Sequence, residues 1–98
     1  SLQGIVTQQL GPTVSGHGRA VAVEVLVATP AIRNLIREAK THQVYSHMQA
    51  GAKYGMRTMD QSLAELVSKG HISLEMAQER CADLEDLRRL IGGAESRA

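Results

Sequence analysis

The fold is decided by a change of pattern within residues 20–38, AVAVEVLVATPAIRNLIRE. Valines alternate with other residues over 20–28, and this period of two with β-branched side chains predicts a strand. Both faces of that strand are mostly apolar, which is typical of a strand covered on both sides. Thr29-Pro30 then predicts a helix start, because threonine caps a first turn and proline lacks only an N–H that is unbonded there anyway.

Beyond Pro30 the pattern predicts four or five short helices. Each is expected to begin at a residue whose side chain caps the first turn, and Thr58 with Gln61 forms the T-x-x-Q pattern of a capping box. Glycines are expected where helices end. The predicted starts are Thr29, Thr41, Thr58, Ser73 and Asp83, and the predicted end of the last helix is Gly92-Gly93.

The segment before the strand is harder to place. Residues 2–10 carry apolar side chains at helical spacing, so we expect a short helix there, broken by Gly11-Pro12. One strand, or one hairpin formed with Thr13–Val14, cannot make a stable sheet. Together with a first residue, Ser1, that is not methionine, this indicates a piece of a larger protein.

Composition argues against several classes of protein. Eleven Lys and Arg face ten Asp and Glu, and this near balance does not favour a polyanion-binding domain. No apolar run is long enough to span a membrane, and no secretory signal opens the chain. The single cysteine, Cys81, cannot form an internal disulfide, and two tyrosines are the only aromatic residues available for stacking on bases.

Charge is unevenly distributed along the sequence. Residues 31–57 carry five basic side chains against Glu38, a net charge of +4, whereas the chain from Thr58 onward has a net charge of −3. Such asymmetry suits a contact surface between helices or subunits. Two solvated faces with a chance bias remain the alternative.

None of the residue patterns makes a complete active site. Residues 16–19, GHGR, have neither the lysine nor the following Ser or Thr of a phosphate-binding loop. Residues 51–55, GAKYG, have a lysine between glycines, but Tyr54 stands where the Ser or Thr should be. The histidines show no metal-ligand spacing, Cys81 is expected to be a small buried apolar residue, and the methionines are expected to fill the core. The histidines are His17, His42, His47 and His71, and the methionines are Met48, Met56, Met59 and Met76.

Residues 31–38, AIRNLIRE, match a signature of the PilT-type pilus retraction ATPases. Residues 39–43, AKTHQ, resemble the family's continuation, with Ala39 where the family usually has Gly. The resemblance extends collinearly over nearly the whole chain, through residues 2–10, 18–26, 51–56 and 58–63. The retraction motif that it implies consists of Ala31, Ile32, Arg33, Asn34, Leu35, Ile36, Arg37 and Glu38.

The resemblance implies an α/β parent with a RecA-like P-loop ATPase core that works as a hexamer. It implies ATP and Mg²⁺ as the parent's ligands, inner-membrane pilus machinery and neighbouring subunits as partners, and a cytoplasmic location at the inner membrane. Nucleic acid and a membrane span are not expected. The parent would couple ATP hydrolysis to type IV pilus retraction, which is called twitching motility.

Within that parent this chain would be a mostly α segment in three parts. Residues 1–29 would be the edge of the RecA-like core, with a terminal β-hairpin or strand. Residues 30–93 would form a helical subdomain that carries the motif, and residues 94–98 a disordered tail. Because the family's nucleotide-binding motifs precede this region, we expect no catalytic, nucleotide or metal residues here, and no ATP hydrolysis by the segment alone.

On a helix that begins at Pro30, one face is expected to be anchored by Ile32, Leu35 and Ile36. Arg33 and Arg37 lie four residues apart, so the same helix projects them together. Two neighbouring guanidiniums can bind carboxylates in bidentate fashion, and we hypothesise that this pair transmits the state of the core to the next subunit. A plain amphipathic helix with solvated arginines is the alternative.

Three other functions remain open. A pilus-extension or type II secretion ATPase is the nearest, although such relatives commonly carry a four-cysteine metal insertion and residues 11–18 contain no cysteine. A stand-alone helical interaction module is the second, and a nucleic-acid-binding protein is a distant third.

Overall fold

The computed structural model describes the backbone of residues 4–16 and 18–97. Within these residues the chain is mostly helical, as predicted, with five α-helices after two strands. The elements are β1 (Gly4–Pro12), β2 (Arg19–Val27), α1 (Pro30–Arg37), α2 (Thr41–Gln49), a 3₁₀-helix (Ala52–Tyr54), α3 (Met59–Ser68), α4 (Leu74–Arg80) and α5 (Leu84–Arg97).

The first strand replaces a helix that we expected. β1 pairs with β2 in a two-stranded sheet, so the helix predicted over residues 2–10 is wrong from Gly4 onward, while residues 2 and 3 lie outside the described part. The run Ile5-Val6-Thr7 is β-branched, which favours a strand. Pairing with β2 also gives the backbone of β1 hydrogen-bond partners, which apolar spacing alone does not predict.

The chain divides into two compact units, and each strand contributes to both. The first unit contains residues 1–7 and 23–58, and the second contains residues 8–22 and 59–98. The first part of each strand and its second part thus belong to different units, while the boundary at residues 29–30, which concerns the parent protein, stays a prediction.

In the first unit, β2 is joined to the segment that follows the 3₁₀-helix. The Val25 N–H donates to the Arg57 carbonyl at 2.8 Å, and the Arg57 N–H donates back to the Val25 carbonyl at 2.9 Å. Helices α1 and α2 pack against each other. A small aliphatic core holds the unit together, built from Ile32, Met48 and Met56 with Leu26, Val27 and Val44 packed around them.

In the second unit, α3 packs against both α4 and α5. Its turn to α4 ends in the pattern typical of a C-terminal glycine: Gly70 has φ of +75°, and the His71 N–H reaches back to the Leu66 carbonyl at 2.9 Å. Ser73 and Asp83 begin α4 and α5 as predicted, since their side chains accept from the Met76 and Asp86 N–H groups. The buried core contains Ala22, Met59, Leu63, Ala64, Ile72, Ala77, Leu87 and Ile91.

The last helix is longer than the sequence indicated. α5 runs to Arg97, so the end predicted at Gly92-Gly93 and the tail predicted over 94–98 are wrong as far as residue 97; Ala98 lies outside the described residues. A glycine ends a helix by taking a left-handed conformation. Neither Gly92 nor Gly93 has a positive φ, so the helical backbone continues through both.

Candidate functional site

The candidate site is α1, which carries residues 31–37, together with Glu38, the residue that caps its C-terminal end. Its start is built as predicted: Pro30 occupies the first turn, and the Thr29 Oγ1 accepts a hydrogen bond from the Ile32 N–H at 3.2 Å. This bond satisfies one of the first-turn donors that have no partner inside the helix. The residue before the helix therefore fixes where α1 begins.

One side chain anchors α1, and one that we expected to help does not. Ile32 is fully buried against Met48 and Met56, and Leu35 is half-buried. Ile36 is 54% exposed, so the prediction that it lies on the buried face is wrong. Leu35 and Ile36 follow Ile32 by three and four residues and so lie on either side of it along the helix surface, and Leu35 is the more buried of the two.

Two arginines project from the outer side of α1. Arg33 and Arg37 are both exposed, as their spacing predicted. The Arg37 Nη1 donates to the Asn34 Oδ1 at 2.7 Å. Because that bond uses one of the five donors of the guanidinium, the others remain available to a partner.

The end of α1 is a tight left-handed turn. The Ala39 N–H donates to the Ile36 carbonyl at 3.0 Å, and the Lys40 N–H donates to the Leu35 carbonyl at 2.9 Å. This pattern usually has glycine at the left-handed position, but here Ala39 occupies it with φ of +58°. Beside the turn, the Lys40 Nζ pairs with the Glu38 carboxylate at 2.9 Å.

The turn also changes how α2 begins. Its cap is Lys40, which makes no side-chain capping bond, so the prediction that Thr41 caps this helix is wrong. The Lys40 carbonyl accepts from the Gln43 and Val44 N–H groups at 3.1 Å. The turn at Ala39 already fixes the backbone of Lys40, so Lys40 is the N-cap of α2 and Thr41 is the first residue inside the helix.

The segment 51–55 forms a turn of 3₁₀-helix, closed by Gly55 with φ of +84°. Its lysine is turned to an aromatic ring, since the Lys53 Nζ lies 5.1 Å from the centre of the Tyr54 ring. Beside it a groove of about 400 Å³ runs between the start of α1 and the end of α2, lined mainly by apolar atoms from Pro30, Ala31, Ala50 and Met56.

The remaining candidate residues lie apart from one another. His42, His47 and His71 are exposed, and His17 lies outside the described residues. In the part of the chain that the structure describes, no three His, Cys, Asp or Glu side chains come together as a metal site. Nor does any described helix combine the length and apolar character that crossing a bilayer requires.

No protein-family profile matches the chain, but individual proteins do, among them three pilus and motility proteins. The twitching motility protein of Neisseria gonorrhoeae is 46% identical over 89% of the chain and 23% of that protein. The type IV pilus retraction ATPase PilT of Pseudomonas aeruginosa is 50% identical over 82% of the chain and 23% of that protein. The type IV pilus ATPase PilU of the same organism is 40% identical over 100% of the chain and 26% of that protein.

This chain is a homologue of the PilT-type pilus ATPases. It spans about a quarter of the length of the curated relatives it matches, and the matched part is their C-terminal portion. The residues that resemble the PilT-type signature thus form helix α1 and its C-cap in this chain.

In the PilT-type segment, methionines and Cys81 lie where we expected. Met48, Met56 and Met59 are buried, and Met76 and Cys81 pack against the core of the second unit. The Cys81 Sγ donates to the Gln78 carbonyl at 3.3 Å. Burial raises the pKa of the Cys81 thiol, and the nearby negative charge of Asp60 raises it further, so the thiol is a poor nucleophile.

Sequence reasoning missed the role of Asp60. Its side chain is fully buried, and its two carboxylate oxygens accept the N–H groups of Ala82 at 2.7 Å and Asp83 at 2.9 Å. Asp60 thereby fastens the first turn of α3 to the start of α5. An acid in a first helical turn also suits the helix dipole while solvated, so the sequence offered no signal for this contact.

Proposed function

We propose that the chain is part of a PilT-type motor ATPase that assembles as a hexamer and drives type IV pilus retraction. The observation that carries this proposal is the 46–50% identity to proteins named for twitching motility and pilus retraction. The residues that resemble the retraction signature lie on α1, and its two arginines and Ile36 face outward. An exposed helix of this kind suits a contact that transmits force or conformation.

ATP and Mg²⁺ belong to the parent in this proposal. Phosphoryl transfer depends on phosphate-binding loops, magnesium ligands and a positioned water, and we assign those groups to other parts of the parent. This segment alone is then expected not to hydrolyse ATP, because the groups that carry out phosphoryl transfer lie elsewhere in the parent.

Residues 1–29 would then belong to the edge of a RecA-like core, and residues from 30 onward to a helical subdomain. The two-stranded sheet supports this proposal, because two strands alone are marginally stable in water and normally need further strands or helices. The partners would be neighbouring subunits and the pilus machinery of the inner membrane, with the protein on the cytoplasmic side.

A second pilus ATPase is the alternative that a particular observation favours. PilU is 40% identical over 100% of the chain, and its name states no direction of force. The higher identity to the retraction ATPase over 82% of the chain supports the retraction proposal.

A chimera tests the proposal. The C-terminal segment of Pseudomonas aeruginosa PilT is replaced by this chain, and the chimera is expressed in a strain that lacks PilT. We expect twitching to be restored to a substantial fraction of the wild-type colony expansion. As controls, PilT without the segment should not restore twitching, and the same chimera built in PilU should not replace PilT. A stable, hexameric chimera that hydrolyses ATP without any retraction would rule out the retraction proposal.

A further inference from the structure

One face of α1 combines charge and apolar surface without a partner in the described chain. This outer face consists of Arg33, Ile36 and Arg37. Ile36 and Arg37 lie three and four residues after Arg33, so both neighbour it on the helix surface, one on each side. Ile36 is 54% exposed, and both arginines are exposed. The outer face therefore combines two exposed guanidiniums with an exposed isoleucine beside them.

Neither guanidinium has an acidic partner among the described residues. Arg33 and Arg37 make no ion pair there, and the only side-chain bond of Arg37 goes to the neutral Asn34 at 2.7 Å. Glu38, the one acid of this segment, instead pairs with Lys40 at 2.9 Å. Within the described part of the chain, the outer face therefore presents two arginines without an ion pair beside an exposed isoleucine.

Asn34 also restricts where one of these charges points. A hydrogen bond three residues back along the helix holds the Arg37 guanidinium over the surface of α1, where its remaining donors face outward. Planar guanidiniums bind carboxylates with two parallel hydrogen bonds, which a fixed orientation favours.

We propose that the outer face of α1 is a docking site for an acidic amphipathic helix of a partner protein. That helix would place two carboxylates, one turn apart, on Arg33 and Arg37, and an aliphatic side chain beside them on Ile36. The inference rests on the proposed function, because it names the partner chemistry of the segment that we propose acts in retraction.

A protein partner fits this surface better than a lipid or nucleic acid surface does. Attraction to an anionic membrane contributes only about 1 kcal/mol for each basic residue near it, so two arginines give weak binding without a larger basic cluster. Nucleic-acid affinity likewise grows with the number of phosphates neutralised. Two guanidiniums beside one isoleucine instead match a pair of carboxylates beside one aliphatic side chain.

The test is direct binding of a synthetic helix to the purified chain. The probe is a fluorescent alanine-based helical peptide with glutamates four residues apart and a leucine between them. Its binding is followed by anisotropy at low and at moderate salt. We expect binding by the wild-type chain that weakens with salt, and binding at least about tenfold weaker to the double variant Arg33→Gln, Arg37→Gln.

Further variants distinguish the contribution of Ile36 to binding from the contribution of the two positive charges. Ile36→Ser should weaken binding about threefold or more at unchanged net charge, and the double lysine variant of Arg33 and Arg37 should lie between wild type and the glutamine variant. Arg88→Gln removes one charge from an exposed site on α5 and should bind within about twofold of wild type. These positions are exposed, and circular dichroism checks that each variant is folded.

Three results would overturn the inference. The first is that a peptide with glutamine in place of glutamate binds as tightly as the glutamate peptide. The second is that the double glutamine variant of the chain binds as tightly as wild type, and the third is that wild type shows no salt-sensitive binding. Phosphatidylserine vesicles and a DNA duplex are measured in parallel, and tighter binding of either one, with the same dependence on both arginines, would also overturn it. The assay requires neither ATP nor pili, so its failure is distinguishable from failure of the motor proposal.

Discussion

At the scale of single residues, Asp60 has the largest structural role that the structure reveals. A fully buried carboxylate that accepts two backbone N–H groups is stabilised by bonds of the charge-assisted kind. Replacing it with asparagine turns one acceptor into a donor that faces another donor. We expect Asp60→Asn to lower the free energy of unfolding by about 2 kcal/mol, measured by urea denaturation followed by circular dichroism.

The matched control for Asp60 is Glu85→Gln. Glu85 is an exposed carboxylate near the same end of α5, so its neutralisation should change the unfolding free energy by no more than about 0.5 kcal/mol. Equal effects of the two substitutions would mean that only net charge matters and that the two hydrogen bonds of Asp60 contribute nothing.

Ala39 is a second residue for which we predict a change in stability, because its backbone conformation is unfavourable for a residue other than glycine. A non-glycine residue in the left-handed region costs about 1–2 kcal/mol, and Ala39 has φ of +58°. Ala39→Gly should therefore stabilise the chain by about 0.5–1 kcal/mol, after the greater freedom of glycine in the unfolded state is subtracted. Thermal or urea unfolding measures the change.

The same substitution at Ala31 provides the comparison. Ala31 is exposed and has ordinary helical geometry within α1, so Ala31→Gly should destabilise the chain by about 0.5–1 kcal/mol. The prediction for Ala39 is wrong if both substitutions destabilise.

At the scale of elements, the threonines before α1 and α2 make a direct comparison. Thr29 accepts the Ile32 N–H at 3.2 Å, whereas Thr41 follows a cap without any side-chain bond. Thr29→Ala should lower the free energy of unfolding by about 1 kcal/mol, and Thr41→Ala should change it by less than about 0.5 kcal/mol. A larger loss at Thr41 would show that the sequence pattern, and not the described geometry, identifies the cap.

The elements that the sequence predicted well are those whose local signals agree with one another. β2 has alternation and β-branched residues, and α1 has Thr29-Pro30 at its start; the caps of α4 and α5 use side chains that bond within their own first turn. Such signals are local, so they can be read without knowing the fold.

The errors arise where distant contacts decide. β1 is a strand because β2 pairs with it, although its apolar spacing indicates a helix. Ile36 is 54% exposed although its spacing from Ile32 indicates the buried face, and the two hydrogen bonds of Asp60 go to residues more than twenty positions away. For the candidate site, the spacing of Arg33 and Arg37 was sufficient to predict their shared face, but not the exposure of the neighbouring Ile36.

At the scale of the whole molecule, the two compact units should unfold separately. Both tyrosines lie in the first unit and Cys81 lies in the second, so each unit has its own probe. In the folded state, the raised pKa and partial burial of Cys81 slow its alkylation. We expect the urea midpoint measured by tyrosine fluorescence to differ from the midpoint measured by alkylation of Cys81. Coincident, steep transitions would favour a stand-alone module instead.

The central claim is that α1 acts in pilus retraction without taking part in binding ATP. It is tested most directly by introducing Arg33→Gln and Arg37→Gln together into the PilT chimera, then measuring retraction force and ATP binding on the same preparations. We predict that retraction is abolished while ATP binding stays within about twofold of the unsubstituted chimera. Normal retraction force in the double variant would contradict the claim, and so would a loss of ATP binding equal to the loss of retraction.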